Sequence, residues 1–232
     1  MTSPLEPGFE ELPRIIPVFP LTGALLLPGG QLPLNIFEPR YLSMVQSALK
    51  TDQRFIGMIQ PVEPNPNDNS GLDGAADADN QPKLYNIGCT GRITSFSETE
   101  DGHYTILLSG ACRFRIAEEL TPLDGYRRVL ADYLRFRKDL WQDNEAAIDR
   151  EKLLETLQAY LDSEEIDANW EAVVESPDDR LVNSLSMSCP FSPSERQALL
   201  EAPDISERNR ILITLLEMSI LQSDSEEGLA AH

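Results

Sequence analysis

Positive charge is scarce in this sequence: 19 lysines and arginines stand against 39 acids, for a formal net charge of −20 over 232 residues. A surface of that sign repels phosphate backbones and anionic headgroups, which disfavours nucleic acid and membrane as general partners. Long apolar runs are missing too. No stretch approaches the roughly 18–20 residues of a membrane span, and Met1-Thr2-Ser3-Pro4-Leu5-Glu6 has neither the basic start nor the apolar core of a signal peptide. A cytoplasmic location is therefore expected. The three cysteines, Cys89, Cys112 and Cys189, form no Cys-x-x-Cys pair to grip zinc or exchange thiols, and are expected to be reduced and buried.

The equipment of catalysis is equally thin. No Gly-x-x-x-x-Gly-Lys-Ser/Thr loop is present to cradle phosphates, and no Gly-x-Gly-x-x-Gly follows a strand. His103 and His232 are the only imidazoles, one beside a hairpin turn and one on the tail. The four lysines, Lys50, Lys83, Lys138 and Lys152, sit at element ends or on a charged helix face, too hydrated to act as the base of a Ser–Lys pair. Glu98, Glu100 and Asp101 cluster at a hairpin tip open to water, while Asp73, Asp77 and Asp79 lack the spacing of an EF-hand loop. No catalytic residue, metal or cofactor is expected, and the chain reads as a binding protein rather than an enzyme.

What is present divides the chain. Residues 1–13, rich in Pro and Glu, are expected as a flexible arm. From Arg14 to Lys138 the signals are those of strands: Ile15–Phe19, Leu32–Ile36 and Phe55–Ile59, then Leu84–Ile93, a hairpin at Asp101-Gly102, Tyr104–Leu108, and a longer run from Tyr126 to Phe136. Pro17 and Pro33 cannot donate to a ladder, so they belong at edges, strand starts or bulges. Tyr41, Val45 and Leu49 mark one helix behind Pro39. The polar segment 61–83 reads as a mobile surface loop. Beyond Asp143 the period becomes helical. Leu154, Leu157 and Leu161 mark a first helix, with Leu153 and Tyr160 widening its stripe; Ser176-Pro177, the box Ser192-Pro193-Ser194-Glu195 and the pair Asp204/Glu207 cap three more; residues 223–232 form an acidic tail expected to fray.

One stretch opposes the global charge. Residues 113–138 hold Arg113, Arg115, Arg127, Arg128, Arg135, Arg137 and Lys138 against four acids. Cys112, Phe114 and Ile116 alternate with Arg113 and Arg115, which buries one face and projects arginines from the other. Two arrangements follow: the arginines pair with the acidic helices of the second half, or they form a basic stripe for an anionic partner such as RNA. The net charge favours the first.

The order of motifs resembles a known family. Ile16-Pro17-Val18-Phe19-Pro20-Leu21, Leu27-Pro28-Gly29 and Leu32-Pro33-Leu34-Asn35-Ile36-Phe37-Glu38-Pro39-Arg40-Tyr41 are similar to the opening of the N-terminal domain of Lon proteases. The similarity continues through Ile56-Gly57, Leu84-Tyr85-Asn86-Ile87-Gly88-Cys89-Thr90-Gly91-Arg92-Ile93, Gly110 to Ile116, Tyr126-Arg127 and the helix opening at Ser192-Pro193-Ser194-Glu195, about residues 14–222 in all. The resemblance implies an α+β fold: a PUA-like, partly open β-barrel over 14–138 followed by a helical bundle over 143–222. It also implies a peptidase-family module that recognises polypeptides. Since the sequence stops at His232, the ATPase and protease activities of the full enzyme are not expected here. Unfolded polypeptide or a partner protein is the expected ligand, in an adaptor or chaperone-like role, with RNA binding by the 113–138 strands as the alternative. The residues so marked for partner contact or a structural role are Phe37, Arg40, Tyr41, Arg92, Arg113, Arg115, Arg127 and Arg128.

Overall fold

A computed structural model describes residues 7–63, 82–141 and 147–230, the side chains of 224–230 excepted. Two compact units appear, residues 1–142 and 143–232.

The first unit contains β1 (Ile15–Pro20), β2 (Gln31–Ile36), α1 (Pro39–Leu49), β3 (Phe55–Ile59), β4 (Ile87–Glu98), β5 (Tyr104–Leu123) and β6 (Tyr126–Asp132). They form one six-stranded sheet in the order β2-β5-β4-β3-β1-β6, with β5 also paired to β6. The 20-residue β5 is the cause of the curl. Arg115 lies opposite Ile87 of β4 on one flank and opposite Asp132 of β6 on the other, so the sheet returns on itself there. Register slips at Thr90/Gly91, Ile93/Ser95, Ile116/Glu118 and Leu120/Leu123 supply the local bends that a closing sheet needs. The outcome is a curved, partly open sheet rather than a regular barrel. Pro33 falls on the edge strand β2, and Pro17 opposes Arg128 just before the parallel pairing of β1 with β3 begins at Val18.

Inside the curl lie Ile16, Val18, Phe55, Ile59, Phe114, Val129, Tyr133 and Phe136. Phe114 is wholly buried, and Gly88 makes room for it: a Cβ there would stand 2.5 Å from the Met58 carbonyl oxygen and 2.7 Å from the Phe114 ring. Helix α1 packs on β1, β3 and β6 through Tyr41, Met44, Val45 and Ala48. Glu38 precedes it without a side-chain cap, and Pro39 opens it, where the missing N–H costs no helical bond.

Three expectations for this unit are corrected. Phe9–Glu11 forms a 3-10 turn and Leu12 is buried in the core, so the arm is anchored from residue 9 onwards; residues 1–6 lie outside the described part. The strand expected over Tyr104–Leu108 does not stop there but runs on through the alternating residues Cys112 to Ile116, because bulges carry β5 past positions where an apolar pattern breaks. The strand expected to reach Phe136 stops at Asp132, where the Asp132 carboxylate accepts the Leu134 N–H at 3.0 Å and a 3-10 segment, Leu134–Leu140, turns away. Of the loop expected over 61–83, residues 64–81 lie outside the described part. Its stem is closed by a Pro61–Leu84 bridge and a 2.7 Å bond from the Val62 N–H to the Lys83 carbonyl.

The second unit holds α2 (Arg150–Ser163), α3 (Trp170–Glu175), α4 (Asp178–Ser188), α5 (Pro193–Glu201) and α6 (Ile205–Ala230), with α6 the common packing partner of α2, α4 and α5. The buried stripe of α2 is Leu153, Thr156, Leu157 and Tyr160, so the residues expected to widen the stripe lie at its centre and Leu154 and Leu161 are half-buried at its side. At α5 the capping box forms: the Ser192 N–H donates to Glu195 Oε2 at 2.8 Å and the Glu195 N–H to Ser192 Oγ at 3.4 Å. Helix α6 runs on to Ala230, through much of the segment expected to fray. Among the described residues no helix is long and apolar enough to cross a membrane.

Candidate functional site

The strand arginines of 113–138 do not make a stripe. Arg113, expected to project from the strand, is buried: its side-chain Nε and its backbone N–H donate to Asp139 Oδ2, both at 2.9 Å, and Nη2 donates to Oδ1 at 2.7 Å. Both side chains are under a tenth exposed, and the Arg113 guanidinium lies 4.9 Å from the Phe136 ring centre. The 3-10 segment 134–140 folds Asp139 back onto the strand, a return that strand alternation alone cannot foresee. Burial lowers the Arg113 pKa, but the hydrogen bonds and charge of Asp139 outweigh it, so the net direction is upward and the charge is kept. Arg115 pairs with Asp132 at 3.0 Å at the surface, and Arg128 donates to the Thr121 carbonyl at 2.9 Å. These partners belong to the same unit, which corrects the expected pairing with acidic helices of the second half.

Arg127 leads to a different place. It is buried, donates to both Glu119 oxygens at 2.7 and 2.6 Å, and sends Nη1 to the Pro82 carbonyl at 2.7 Å. It lines a cleft of about 190 Å³ with Pro20, Thr22, Arg40, Tyr41, Pro61, Pro82, Gly125 and Tyr126. The chain builds this hollow from five separate segments. The Asp124-Gly125 turn between β5 and β6, with φ of 49° and 83°, delivers Tyr126 and Arg127; both angles are those of a tight hairpin that glycine and aspartate tolerate. Gly125 also faces α1 closely, since a Cβ there would meet the Arg40 Cβ at 3.4 Å. The first turn of α1 delivers Arg40 and Tyr41, β1 ends in Pro20, and the closed loop stem brings Pro61 and Pro82.

The cleft wall is aromatic and cationic. The Tyr41 ring packs against Phe19, tilted by 41° with ring centres 4.2 Å apart, and the Arg40 guanidinium lies 4.6 Å from the Tyr41 ring centre. Arg40 is half exposed and paired with Glu38 at 2.8 Å. Burial pushes the Tyr41 phenol above its ordinary value, against the lowering pull of Arg40, so it stays protonated at neutral pH. Such a wall offers N–H and O–H donors beside flat apolar surfaces. It presents no nucleophile with a partnered base, and among the described residues no group of three or more His, Cys, Asp or Glu could hold a metal ion.

Of the eight residues singled out in the sequence, Arg40, Tyr41 and Arg127 meet in this cleft. Phe37 is 62% exposed at the end of β2, its ring 6.1 Å from that of His103. Arg92 sits half-buried in β4, opposite Phe55 and Ser109. Tyr126 was in view beside Arg127 but not marked as a site residue, and neither were the three prolines; the Asp124-Gly125 dipeptide was the available signal for the first.

Comparison with known proteins follows the fold. The family model described as the ATP-dependent protease La (LON) substrate-binding domain matches residues 15–218. Lon protease 2 of Myxococcus xanthus is 26% identical over 229 residues, 93% of this chain and 25% of that protein. The Lon protease of Anaeromyxobacter dehalogenans is 24% identical over 220 residues, 93% of this chain and 24% of that protein. The chain thus spans about a quarter of the length of the curated relatives it matches. Two solved structures share the fold: a Lon N-terminal domain protein from Xanthomonas campestris (TM-score 0.59, 21% identity, 86% of this chain and 97% of that one) and the N-terminal domain of Mycobacterium avium complex Lon protease (TM-score 0.60, 17% identity, 88% and 98%).

Proposed function

The chain belongs to the family of ATP-dependent protease La (LON) substrate-binding domains, and from that premise we propose that it holds unfolded or extended polypeptide without catalysis of its own, as an adaptor or chaperone-like module. The observation that carries this reading is the family match over 15–218, which contains every segment of the cleft. The limits 14–222 for the domain belong to the same reading. A cytoplasmic location fits three free, buried cysteines.

The wall chemistry supports it. Aromatic and proline surfaces take apolar side chains of an extended segment, while donors satisfy its carbonyls. The RNA reading has no comparable support, since the strand arginines Arg113, Arg115 and Arg127 are already paired with acids. The test is retention of a chemically unfolded model protein on the immobilised chain across roughly a fourfold rise in salt. Apolar and backbone contacts survive that rise, whereas phosphate binding falls steeply. Retention with no comparable RNA binding is the expected result; salt-sensitive binding of RNA alone would replace this reading.

A further inference from the structure

The cleft contains donors that the fold does not use. Tyr41 is 6% and Tyr126 3% exposed, yet among the described residues neither phenolic oxygen has a hydrogen-bond partner. Nor are they sealed away: among the described residues, neither phenol is one of the wholly buried side-chain oxygens that lack a hydrogen bond. An unpartnered hydroxyl on an almost wholly buried ring reaches solvent through the hollow that the ring lines. Two such hydroxyls therefore open into one cleft.

The rest of the lining fixes the sign of what fits. Among the described residues no carboxylate lines the hollow, whereas two guanidiniums do. Arg127 is held by Glu119 and the Pro82 carbonyl, so its charge is already balanced and it serves as a fixed wall of the hollow. Arg40 is mobile by comparison: its side chain and that of its partner Glu38 are 49% and 43% exposed, and such a surface pair exchanges partners at little cost. Arg40 also lies in the first turn of the 11-residue α1, at the positive end of the helix dipole. Two neutral O–H donors and one exchangeable guanidinium together match a carboxylate. At about 190 Å³ the cleft is below the roughly 300–1,000 Å³ of drug-sized ligand sites, which suits a carboxylate with its adjoining residue.

We propose that the Tyr41/Tyr126/Arg40 cleft captures a carboxylate carried by an extended polypeptide, either its C-terminus or an acidic side chain. This rests on the polypeptide-binding reading above. The probe is a fluorescent, unstructured, otherwise uncharged peptide in three forms: free C-terminal carboxylate, C-terminal amide, and amide with one internal glutamate. Anisotropy titrations with the full chain should show at least one carboxylate form binding about tenfold tighter than the plain amide, and the form that does so identifies the source. Tyr126→Phe and Arg40→Gln should each reduce that preference to less than about threefold with the urea midpoint kept. Equal affinity for the three forms, or binding of none, overturns the proposal. Retention of an unfolded model protein whose carboxyl groups have been amidated is measured alongside. Retention without carboxylate preference removes this inference and leaves the broader reading; carboxylate preference without retention does the reverse.

Discussion

The two units bury arginine by different devices. In the sheet unit Arg113 meets a carboxylate, with both charges out of water. In the helical unit Arg196 meets only carbonyls, donating to Phe191, Met187 and Cys189 at 2.9, 3.1 and 2.8 Å, and Arg208 donates to the Leu199 carbonyl at 2.9 Å and to Asn183 Oδ1 at 3.0 Å. Met187 and Cys189 stand at the end of α4 and Leu199 near the end of α5, where carbonyls lack helical partners. The difference shows in the pKa directions: burial lowers Arg196, while Asp139 carries Arg113 upward in spite of burial. An ionic device has two charged ends and fails badly when one is removed. A carbonyl device leaves dipoles behind and fails more gently.

The largest expected effect breaks the ionic side. Arg113→Met should cost about 3–5 kcal/mol, because Asp139 remains charged and buried. Urea unfolding followed through Trp141, with Trp170 replaced by Phe, measures it; adding Asp139→Leu should recover most of the loss. A single-variant cost no greater than that of a surface pair would remove the ionic account. Next comes Arg196→Met, at about 2–3 kcal/mol for charged hydrogen bonds to three carbonyls, read through Trp170. Arg196→Lys should recover less than half, since an ammonium lacks the planar fork.

These arginines also mark where the sequence stops being legible. The strands β1, β2 and β3 could be read to within a residue or two because short apolar runs are bounded by Pro, Gly or polar residues, and the Ser192/Glu195 box fixed the start of α5. The faces of β5 followed from alternation, but the role of Arg113 did not, because Asp139 arrives from a 3-10 turn 26 residues later. The six-residue α3 escaped notice for want of a full apolar period. Its end displaced the cap expected at Ser176: that hydroxyl donates to the Ala172 carbonyl at 2.7 Å, and Pro177 precedes α4 instead. The cleft was half legible. Arg40-Tyr41 and Tyr126-Arg127 were in view as pairs, but their meeting depends on the closed sheet.

Thiols sharpen the comparison at a smaller scale. Burial pushes Cys189 in the helical unit up to about 11 from 9.0, and Cys112 in the sheet unit further in the same direction. A raised folded value favours the neutral form, so this stability is complete below the unfolded thiol pKa and is lost as pH rises from about 9 towards 11. Native protein should resist a thiol reagent near pH 8, and Cys189 should react before Cys112 as the pH is raised. Mass spectrometry of alkylated peptides reads the order, and the reverse order would contradict the burial argument. The smallest effect belongs to Arg115→Ala. Its surface pair with Asp132 should contribute no more than about 1 kcal/mol, and high salt should erase it; a larger, salt-resistant loss would show that this pair belongs with Arg113–Asp139.

The return of the sheet on itself at β5 and β6 sets a clock during synthesis. Ile15–Val18 find their antiparallel partners in Arg127–Leu130, about 115 residues later in the chain. A ribosome adding roughly 5–20 residues per second leaves the first strand waiting on the order of ten seconds for its neighbour. During that interval Ile16, Val18 and Phe19, all buried in the finished sheet, form an extended apolar segment with an open edge, and such distant pairings are slow to close even once both strands exist. For those seconds the newborn chain has the extended, apolar character proposed above for its own ligand.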